Sequence, residues 1–262
     1  MHRLHDELDD RHWWFAARRR IVLQLLRQEL AGAPTRRPRF LDIGCGAGSV
    51  LRELKPLGEA VGLDTEPSAV ESARRRSGCE VRLGHLPDGV PFEAGSFDVV
   101  TLLDVLEHID DDAASLAAIE RLLAPGGLLL ITVPAYRFLW SDHDVVNQHR
   151  RRYTRPELRA RLEGAGLRVR KLSYYNTLLF PPIAALRFLR GKPRSGSAVA
   201  AAPADHPAAV AEEARPDLGE VPAPMNALLR GVFGAERHWL RFGAFPFGVS
   251  VLALARKPGG AV

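Results

Sequence analysis

A chain of 262 residues can bury a large core, and a composition of 46% hydrophobic and 26% charged residues is typical of a soluble globular protein. The opening segment is too polar for a signal peptide, and the longest apolar runs are too short to span a bilayer. The net charge of +5 is uneven, because residues 1–135 carry 16 basic and 21 acidic side chains whereas residues 136–262 carry 20 and 10. Neither of the two cysteines has metal-site spacing, so we expect free thiols in a cytoplasmic protein.

The first half of the chain predicts strands that alternate with helices after one N-terminal helix. Residues 9–31 predict that first helix, which Gly32 and Pro34 end. The next predicted strands are 39–44, 59–64, 80–84, 97–106 and 128–134, and the predicted helices between them are 49–55, 67–76 and 113–123. A turn is expected at 125–127. Near-continuous apolar strands separated by helices indicate a parallel sheet covered on both faces.

The second half begins with a polar, histidine-rich segment at 134–152, which we expect to be a loop. A helix then opens with the capping-box pattern of Thr154 and Glu157. The remaining predicted elements are a strand at 167–175, a helix at 177–190, a flexible linker at 192–222, a helix at 225–241 and a last strand at 248–257. The expected units are an N-terminal helical lid at 1–34, a core at 35–175 with 243–262, and a helical cap inserted at 176–242.

The strongest functional signal is the segment Leu41–Gly48, which joins the first predicted strand to the next helix. Its glycines allow positive φ angles and a close approach of the backbone to a ligand, and the helix start adds unpaired N–H groups. The spacing is G-x-G-x-G, not the G-x-G-x-x-G of dinucleotide sites. Asp42 precedes the glycines, and its carboxylate would repel a pyrophosphate but attract the amino group of S-adenosylmethionine. The sign of this charge favours the sulfonium cofactor over NAD.

Asp64 ends the second predicted strand, 20 residues after Gly44. An acid at this distance can accept hydrogen bonds from both hydroxyls of a ribose, with Thr65 beside it. The alternative is that Asp64 caps the helix that contains Pro67. The nearby glycine turn favours the ribose.

The segments LDIGCGAG, VGLDTEP, FDVVTLLDVLEHI and LLAPGGLLLITVP together resemble the class I S-adenosylmethionine-dependent methyltransferases over residues 39–135. The resemblance implies an α/β, Rossmann-like fold with a seven-stranded, mainly parallel sheet of order 3-2-1-4-5-7-6, the last strand antiparallel. It also implies that residues at the ends of the first four strands contact S-adenosylmethionine. These residues are Asp42, Gly44, Gly46, Gly48, Asp64, Thr65, Leu86 and Asp104. Members commonly place an acid after the third strand, where this sequence has Gly84-His85-Leu86, so Leu86 is expected to pack on the adenine without that acid.

Two flanking segments are similar to those of bacterial methyltransferases often linked to polysaccharide or lipid-linked sugar pathways. They are His12–Phe15 and Leu139–Tyr153. This likeness implies a small-molecule, sugar or lipid-linked methyl acceptor. An anionic acceptor would suit the basic second half, where the side chains of Arg150, Arg151 and Arg152 can clamp a phosphate or carboxylate. A solvated basic face is the alternative.

Arg18 lies within the apolar stripe of the first predicted helix, on the face of Trp14 and Ile21, whereas Arg19 and Arg20 point elsewhere. A buried arginine needs an anionic partner. One hypothesis is that this helix closes over the cofactor and that Arg18 pairs with the cofactor's carboxylate. The alternative is that Arg18 reaches solvent or stacks on Trp14.

Methyl transfer from a sulfonium is an in-line displacement that often needs a base to take a proton from the acceptor. The candidate catalytic residues are His108, after the fourth strand, and Tyr136 and His143, after the fifth. Asp142 and Asp144 flank His143 and can raise its pKa. Structural roles for the two histidines, at a helix start and in a solvated loop, remain open.

The acidic and histidine residues of 142–149 match no known spacing of metal ligands, so no metal is expected. A nucleic-acid methyltransferase is a second reading, which the basic second half suggests, but no RNA-binding module or flipped-base motif accompanies it. A third reading is a non-catalytic cofactor-binding module at a membrane. The basic, apolar segment 177–194 can rest on the anionic inner face of a bilayer or pack as a cap over the acceptor site. The sequence leaves the oligomeric state open.

Overall fold

The computed structural model describes residues 10–31, 37–190 and 221–259. Most of the linker predicted at 192–222, together with residues 1–9 and 32–34 of the expected lid, lies outside the described residues. Within the described ranges, helices cover both faces of one seven-stranded sheet. None of the described helices has both the length and the apolar character that crossing a bilayer requires.

The strands occur in the order β3-β2-β1-β4-β5-β7-β6 across the sheet. They are β1 (Arg39–Ile43), β2 (Glu59–Asp64), β3 (Glu80–Leu83), β4 (Phe97–Leu103), β5 (Leu123–Pro134), β6 (Arg168–Tyr175) and β7 (Ser250–Arg256). β1 to β5 pair in parallel, whereas β7 runs antiparallel to β5 and β6. The fold class and the strand order implied by the resemblance are therefore confirmed.

The helices of the described ranges are α1 (Trp13–Leu30), α2 (Ser49–Leu54), α3 (Pro67–Ser77), α4 (Asp112–Leu122), α5 (Asp142–Val146), α6 (Arg155–Gly164), α7 (Phe180–Arg190) and α8 (Ala223–Leu240). Two 3-10 turns follow β4 and β5, at Leu106–His108 and Arg137–Leu139. The predicted capping box of Thr154 and Glu157 is present at the start of α6.

The segment predicted as a loop at 134–152 contains regular structure, namely the second 3-10 turn and α5. The prediction of a plain loop was therefore wrong for these residues. Its signal was present in the sequence, because Ser141 and Asp144 form a capping box that starts α5.

The turn expected at 125–127 lies inside β5. The pairing of β4 with β5 shifts register between Phe97 and Val99, and Gly126 takes a φ of 77° there. The extra residues of β5 therefore form a bulge, which glycine accommodates without strain.

Two hydrophobic layers form the core, one on each face of the sheet. Leu129, Ile131 and Val133 of β5 point into the layer that α4 and α6 cover, whereas Leu128 and Leu130 point into the other, which α1, α2 and α8 cover. The alternation follows from the two-residue period of a strand. Every residue of β5 from 127 to 134 is buried because helices cover both faces of the sheet.

Helices α1 and α8 contact each other although they are about two hundred residues apart in the sequence. The ring of Phe233 stacks on Trp14 with centroids 5.2 Å apart and on Tyr175 at 5.6 Å. Asn226 accepts a hydrogen bond from the backbone N–H of Trp13 at 2.8 Å. These contacts hold α1 against the sheet and fix where Arg18 meets β4.

We expect Phe233→Ala to lower the free energy of unfolding by about 3–5 kcal/mol, because the ring is fully buried and its removal leaves a cavity. Phe242→Ala is the matched control, since its ring is 82% exposed and its loss should change stability by at most about 0.5 kcal/mol. Urea unfolding followed by circular dichroism measures both. Equal stabilities of the two variants would contradict the packing described for α8.

Candidate functional site

The glycine turn between β1 and α2 lies at the carboxyl ends of β1 and β2. The backbone N–H groups of Gly44 and Cys45 donate to the carbonyl of Leu63 at 2.8 and 3.2 Å. Gly44, Gly46 and Gly48 have φ angles of 71°, 51° and 80°. All three therefore lie in the left-handed region that the sequence predicted for them.

The three glycines differ in what surrounds them. A Cβ on Gly44 would come within 2.4 Å of Val105, and one on Gly48 within 2.9 Å of the Cα of Ala73. A Cβ on Gly46 would meet nothing within 4 Å. Gly44 and Gly48 thus permit close packing inside the protein, while Gly46 faces open space that a ligand can occupy.

Asp64 lies beside this open space. Its Oδ2 accepts a hydrogen bond from the N–H of Gly46 at 2.8 Å, and its Oδ1 accepts one from the N–H of Glu66 at 3.1 Å. The residue that caps α3 is Glu66, so Asp64 is not the helix cap. Each carboxylate oxygen keeps a further lone pair for a hydroxyl donor. Thr65, next to Asp64, is exposed.

Asp42 is only 2% exposed, within β1 just before the turn. Its Oδ1 accepts a hydrogen bond from the hydroxyl of Thr101 on β4 at 2.6 Å. The buried carboxylate places negative charge behind the glycines, as the sequence predicted. A ligand with a positive group fits this surrounding better than a diphosphate does.

Arg18 reaches from α1 to the carboxyl end of β4, where it forms an ion pair with Asp104. It is 8% exposed, and its guanidinium lies 5.4 Å from the ring centroid of Phe15. The structure thus contradicts the alternative that Arg18 reaches solvent or stacks on Trp14. The backbone of Asp104 has a φ of 56°, and its Oδ1 accepts a hydrogen bond from Thr132 at 3.0 Å.

Arg19, which was expected to point away from this face, is also 8% exposed. It donates to the hydroxyl of Ser49, the first residue of α2, at 3.3 Å. The helical pattern placed Arg19 outside the apolar stripe because it assumes that only one face of the helix is buried. In the structure α1 is covered on two sides, so both arginines are buried. Arg19 thus reaches the start of α2 beside the glycine turn, while Arg18 reaches the end of β4.

Leu86 follows β3 and is buried in the hydrophobic layer that α4 and α6 cover. It forms an apolar wall at the carboxyl end of β3, two strands away from Asp42. This is the place where the sequence predicted contact with an adenine ring.

Glu107 and His108 follow β4, and the loop after β5 brings His149 next to them. One ligand atom from each of these three side chains lies within 4.8 Å of the other two, and the rings of the two histidines are 4.7 Å apart. Glu107 is fully buried, and both its carboxylate oxygens lack a hydrogen-bond partner among the described residues. Burial and the nearby carboxylate of Asp104 raise the pKa of Glu107 well above its ordinary value. Sequence reasoning had not assigned a role to Glu107 or His149.

Asp144 orients His149 and not His143, to which the sequence had assigned it. The carboxylate of Asp144 accepts a hydrogen bond from Nδ1 of His149 at 2.8 Å and two from Arg152, both also at 2.8 Å. Burial opposes ionisation of Asp144, but these hydrogen bonds outweigh it and hold its pKa well below the ordinary value. The ring centroid of His143 lies 5.8 Å from that of His149. The side-chain nitrogen of Asn147 lies 3.1 Å from Nδ1 of His143.

Tyr136, the third candidate catalytic residue, follows β5 with a φ of 54°. Its ring stacks on Tyr174 with centroids 4.8 Å apart. Burial and the hydroxyl of Tyr174 raise the pKa of Tyr136, so its phenol keeps the proton at neutral pH. The ring centroid of Phe180, on α7, lies 6.0 Å from that of Tyr136, and the ring centroid of Phe247 lies 5.5 Å from that of Phe180. These rings form one aromatic cluster.

The three consecutive arginines that can clamp an anion are each paired with a carboxylate of the chain. Arg150 lies 3.3 Å from Asp110, Arg151 lies 3.2 Å from Asp112, and Arg152 is buried on Asp144. Arg152 is therefore already engaged, whereas the guanidinium groups of Arg150 and Arg151 keep further N–H donors that an anion can use.

Comparison with known sequences shows that the methyltransferase domain family matches residues 15–172. The ubiquinone biosynthesis O-methyltransferase of Xanthomonas euvesicatoria is 39% identical over 112 residues, 40% of this chain and 45% of that protein. An uncharacterized 37.1 kDa protein from a transposon of Streptomyces fradiae is 38% identical over 111 residues, 39% of this chain and 32% of that protein. The matches thus span less than half the length of either relative.

Solved structures share the fold over most of the chain. The methyltransferase bound to the Trm112 activator in Haloferax volcanii has a TM-score of 0.58 and 22% identity, covering 98% of this chain and 95% of that one. The [4+2]-cyclase SpnF has a TM-score of 0.57 and 19% identity, covering 91% and 80%. At these identities the likeness concerns the fold alone, and the cyclase shows that the fold does not fix the reaction.

Two alanine substitutions within the turn test the different surroundings of its glycines. We expect Gly46→Ala to cost only the left-handed backbone strain, about 1–2 kcal/mol of unfolding free energy. Gly48→Ala carries similar strain and also forces a Cβ against the backbone of Ala73, which adds about 1–3 kcal/mol. Chemical denaturation of both variants checks the order, and a less stable Gly46→Ala would contradict it.

The ion pair of Asp144 with Arg152 should make stability depend on the carboxylate. We expect Asp144→Asn to lower the free energy of unfolding by about 3–5 kcal/mol, because it leaves the buried Arg152 uncompensated. Since the pKa of Asp144 is lowered on folding, the contribution is fully present above the ordinary value of 3.8 and is lost as the pH falls toward the lowered one. Denaturation at several pH values should give a constant difference between wild type and variant above pH 5 and a smaller one below pH 4. A difference that grows in acid would contradict this account.

Proposed function

We propose that this chain, which belongs to the S-adenosylmethionine-dependent methyltransferase family, transfers the methyl group to a hydroxyl of a small, partly aromatic or lipid-linked molecule. The cofactor supplies a methyl group on a positively charged sulfur, which the acceptor attacks in line. The chain's own residues bind that cofactor, align the acceptor and manage the acceptor's proton.

The arrangement of charge around the glycine turn is the observation that carries this proposal. Asp42 and Asp104 place carboxylates near the carboxyl ends of β1 and β4, and Arg18 places a guanidinium between α1 and β4. A ligand with an amino group, a sulfonium and a carboxylate has the complementary charges. We assign the amino group to Asp42 and Asp104 and the carboxylate to Arg18, which can pair with it while it still contacts Asp104.

The remaining cofactor contacts follow from the positions along the sheet edge. Asp64 and the neighbouring Thr65 are assigned to the ribose hydroxyls, since Asp64 retains accepting lone pairs beside the open face of Gly46. Leu86 is assigned to one face of the adenine, against which its buried side chain provides an apolar wall. Gly44 and Gly48 shape the turn.

A hydroxyl acceptor with a flat apolar part is supported by two observations. The rings of Tyr136, Tyr174, Phe180 and Phe247 form a continuous aromatic cluster beyond β5 and β6. The ring of Phe247 is 42% exposed, so a flat molecule can pack against this end of the cluster. One relative with 39% identity is an O-methyltransferase of ubiquinone biosynthesis. We assign the phenol of Tyr136 to donating a hydrogen bond to the acceptor, because a phenol holds its proton at neutral pH and burial raises the pKa of Tyr136 further.

The acceptor oxygen is proposed to be activated at His108, in the 3-10 turn that follows β4. The ring of His143 lies 5.8 Å from that of His149 between centroids, so we assign His143 a supporting role beside His149.

Contact with an anionic membrane is proposed as the way in which a lipid-linked acceptor is reached. Phe188 and Leu189 on α7 are 87% and 82% exposed, while Arg187 of the same helix donates to the backbone of Leu139 beside the aromatic cluster. Exposed apolar residues in a basic segment favour anionic bilayers. Flotation with vesicles should carry the wild-type chain with anionic lipid, and Phe188→Asp should reduce this. Equal flotation of the two proteins would remove the membrane contact from the proposal.

Asp64→Ala should weaken the binding of S-adenosylhomocysteine by about 10- to 100-fold, because hydrogen bonds to a carboxylate contribute roughly 1.5–3 kcal/mol. Glu59→Ala is the matched control, since Glu59 starts β2 at the opposite edge of the sheet, where it pairs with Arg39. Isothermal titration calorimetry measures both, and unchanged affinity of Asp64→Ala would contradict the assigned ribose site.

The acceptor class is tested by incubating the protein with S-adenosylmethionine labelled on the methyl carbon and with separate pools of phenols, lipid-linked sugars and RNA. We expect label in the phenolic or lipid-linked pool, with a mass gain of one methylene. Label in RNA alone would overturn the proposed acceptor and support the nucleic-acid reading.

A further inference from the structure

We propose that Glu107, His108 and His149 hold a divalent transition-metal cation beside the methyl-transfer centre. One ligand atom from each of the three side chains lies within 4.8 Å of the others. The inference rests on the proposed function, because it gives His108 its role there: a ligand of a cation that activates the acceptor oxygen. It departs from the expectation of no metal, which considered only the spacing within 142–149.

Glu107 provides the first argument, because its carboxylate is fully buried while both oxygens lack a hydrogen-bond partner within the described ranges. Buried carboxylates are costly unless they are hydrogen-bonded, paired or bound to a metal. The two imidazoles next to it are neutral ligands that cannot supply the missing charge unless they are protonated. A divalent cation between the three groups supplies it.

The second argument is that His149 is held as metal-bound histidines are. Its Nδ1 is engaged by the carboxylate of Asp144 at 2.8 Å, which leaves Nε2 for a ligand. Asp144 is itself fixed by two hydrogen bonds from Arg152 and one from the backbone N–H of Ser141. The imidazole therefore has a set tautomer and a set orientation before any ligand arrives.

The third argument concerns the two chain segments that supply the ligands. The N–H of Arg150 donates to the backbone carbonyl of Glu107 at 2.7 Å, and Arg151 donates to the carbonyl of Asp110 at 2.7 Å. Gln148, just before His149, takes a φ of 55°. These contacts fasten the loop after β5 onto the turn after β4 and hold His149 opposite His108 about forty residues away in the sequence.

Two imidazoles and one carboxylate are the ligands that Zn²⁺ prefers in catalytic sites, where three protein ligands leave a position open. We infer that the open position takes the acceptor oxygen. Bound to the cation, the acceptor hydroxyl loses its proton to solvent more readily. The oxygen then forms the new O–C bond while the S–C bond breaks and its electron pair stays on sulfur, which gives S-adenosylhomocysteine.

Cobalt is the probe, because Co²⁺ occupies Zn²⁺ sites and absorbs visible light. The full chain, freed of metal with a chelator, is titrated with Co²⁺ and then with competing Zn²⁺. We expect one equivalent of Co²⁺ to give visible absorption that Zn²⁺ abolishes. Glu107→Gln and His149→Ala should each weaken Co²⁺ binding by at least about 10-fold. His238→Ala, which removes an exposed histidine on α8, is the control and should bind as the wild type does.

Each variant is checked for folding by circular dichroism and for binding of S-adenosylhomocysteine. Absence of Co²⁺ binding by the folded wild type, or equal binding by the two ligand variants and the control, overturns the metal site. A protein that binds S-adenosylhomocysteine but no Co²⁺ leaves the methyltransferase proposal standing, whereas one that binds Co²⁺ and transfers no methyl group contradicts only that proposal.

Discussion

Parallel pairing of β1 with β2 and β4 brings the carboxyl ends of these strands to one edge of the sheet, and the whole candidate site depends on this constraint. Residues that are distant in sequence become neighbours because each directly follows a strand. Asp64 follows the same rule as Asp104, and the glycine turn lies between them. No single strand carries the site, so its chemistry requires the sheet order as a whole.

Charges buried at this edge are compensated mostly in pairs. Arg18 with Asp104 joins α1 to β4, and Arg152 with Asp144 joins two parts of the loop after β5. Such pairs add little net stability compared with apolar packing, but removing one partner is costly. They therefore specify how the covering segments meet the sheet. Glu107 differs from these paired carboxylates, because its carboxylate has no hydrogen-bond partner among the described residues.

The individual strands, the glycine turn and the place of Asp64 were predictable because local patterns encode them: runs of apolar residues, glycine spacing and an acid at a strand end. The strand order followed instead from the resemblance to the methyltransferase family. The partner of Asp144 was not predictable in this way. Sequence proximity favoured His143, but the short helix α5 turns that side chain outward and the left-handed residue Gln148 turns His149 inward. The burial of Glu107 was not predictable for a related reason, because it depends on contacts between segments that are distant in the sequence, such as the loop after β5. Local pattern thus gave the framework, while contacts between loops decided which polar groups meet.

The insertion of β7 between β5 and β6 has a consequence for how the polypeptide reaches this fold. β5 is complete at Pro134, yet its neighbour begins at Ser250, more than a hundred residues later. Until that segment arrives, the apolar β5 presents an open hydrogen-bonding edge, which is a template for association with other chains. The segment that matches the methyltransferase domain, residues 15–172, lacks β7 altogether. On its own, this segment would therefore leave the β7-pairing edge of β5 without a partner strand.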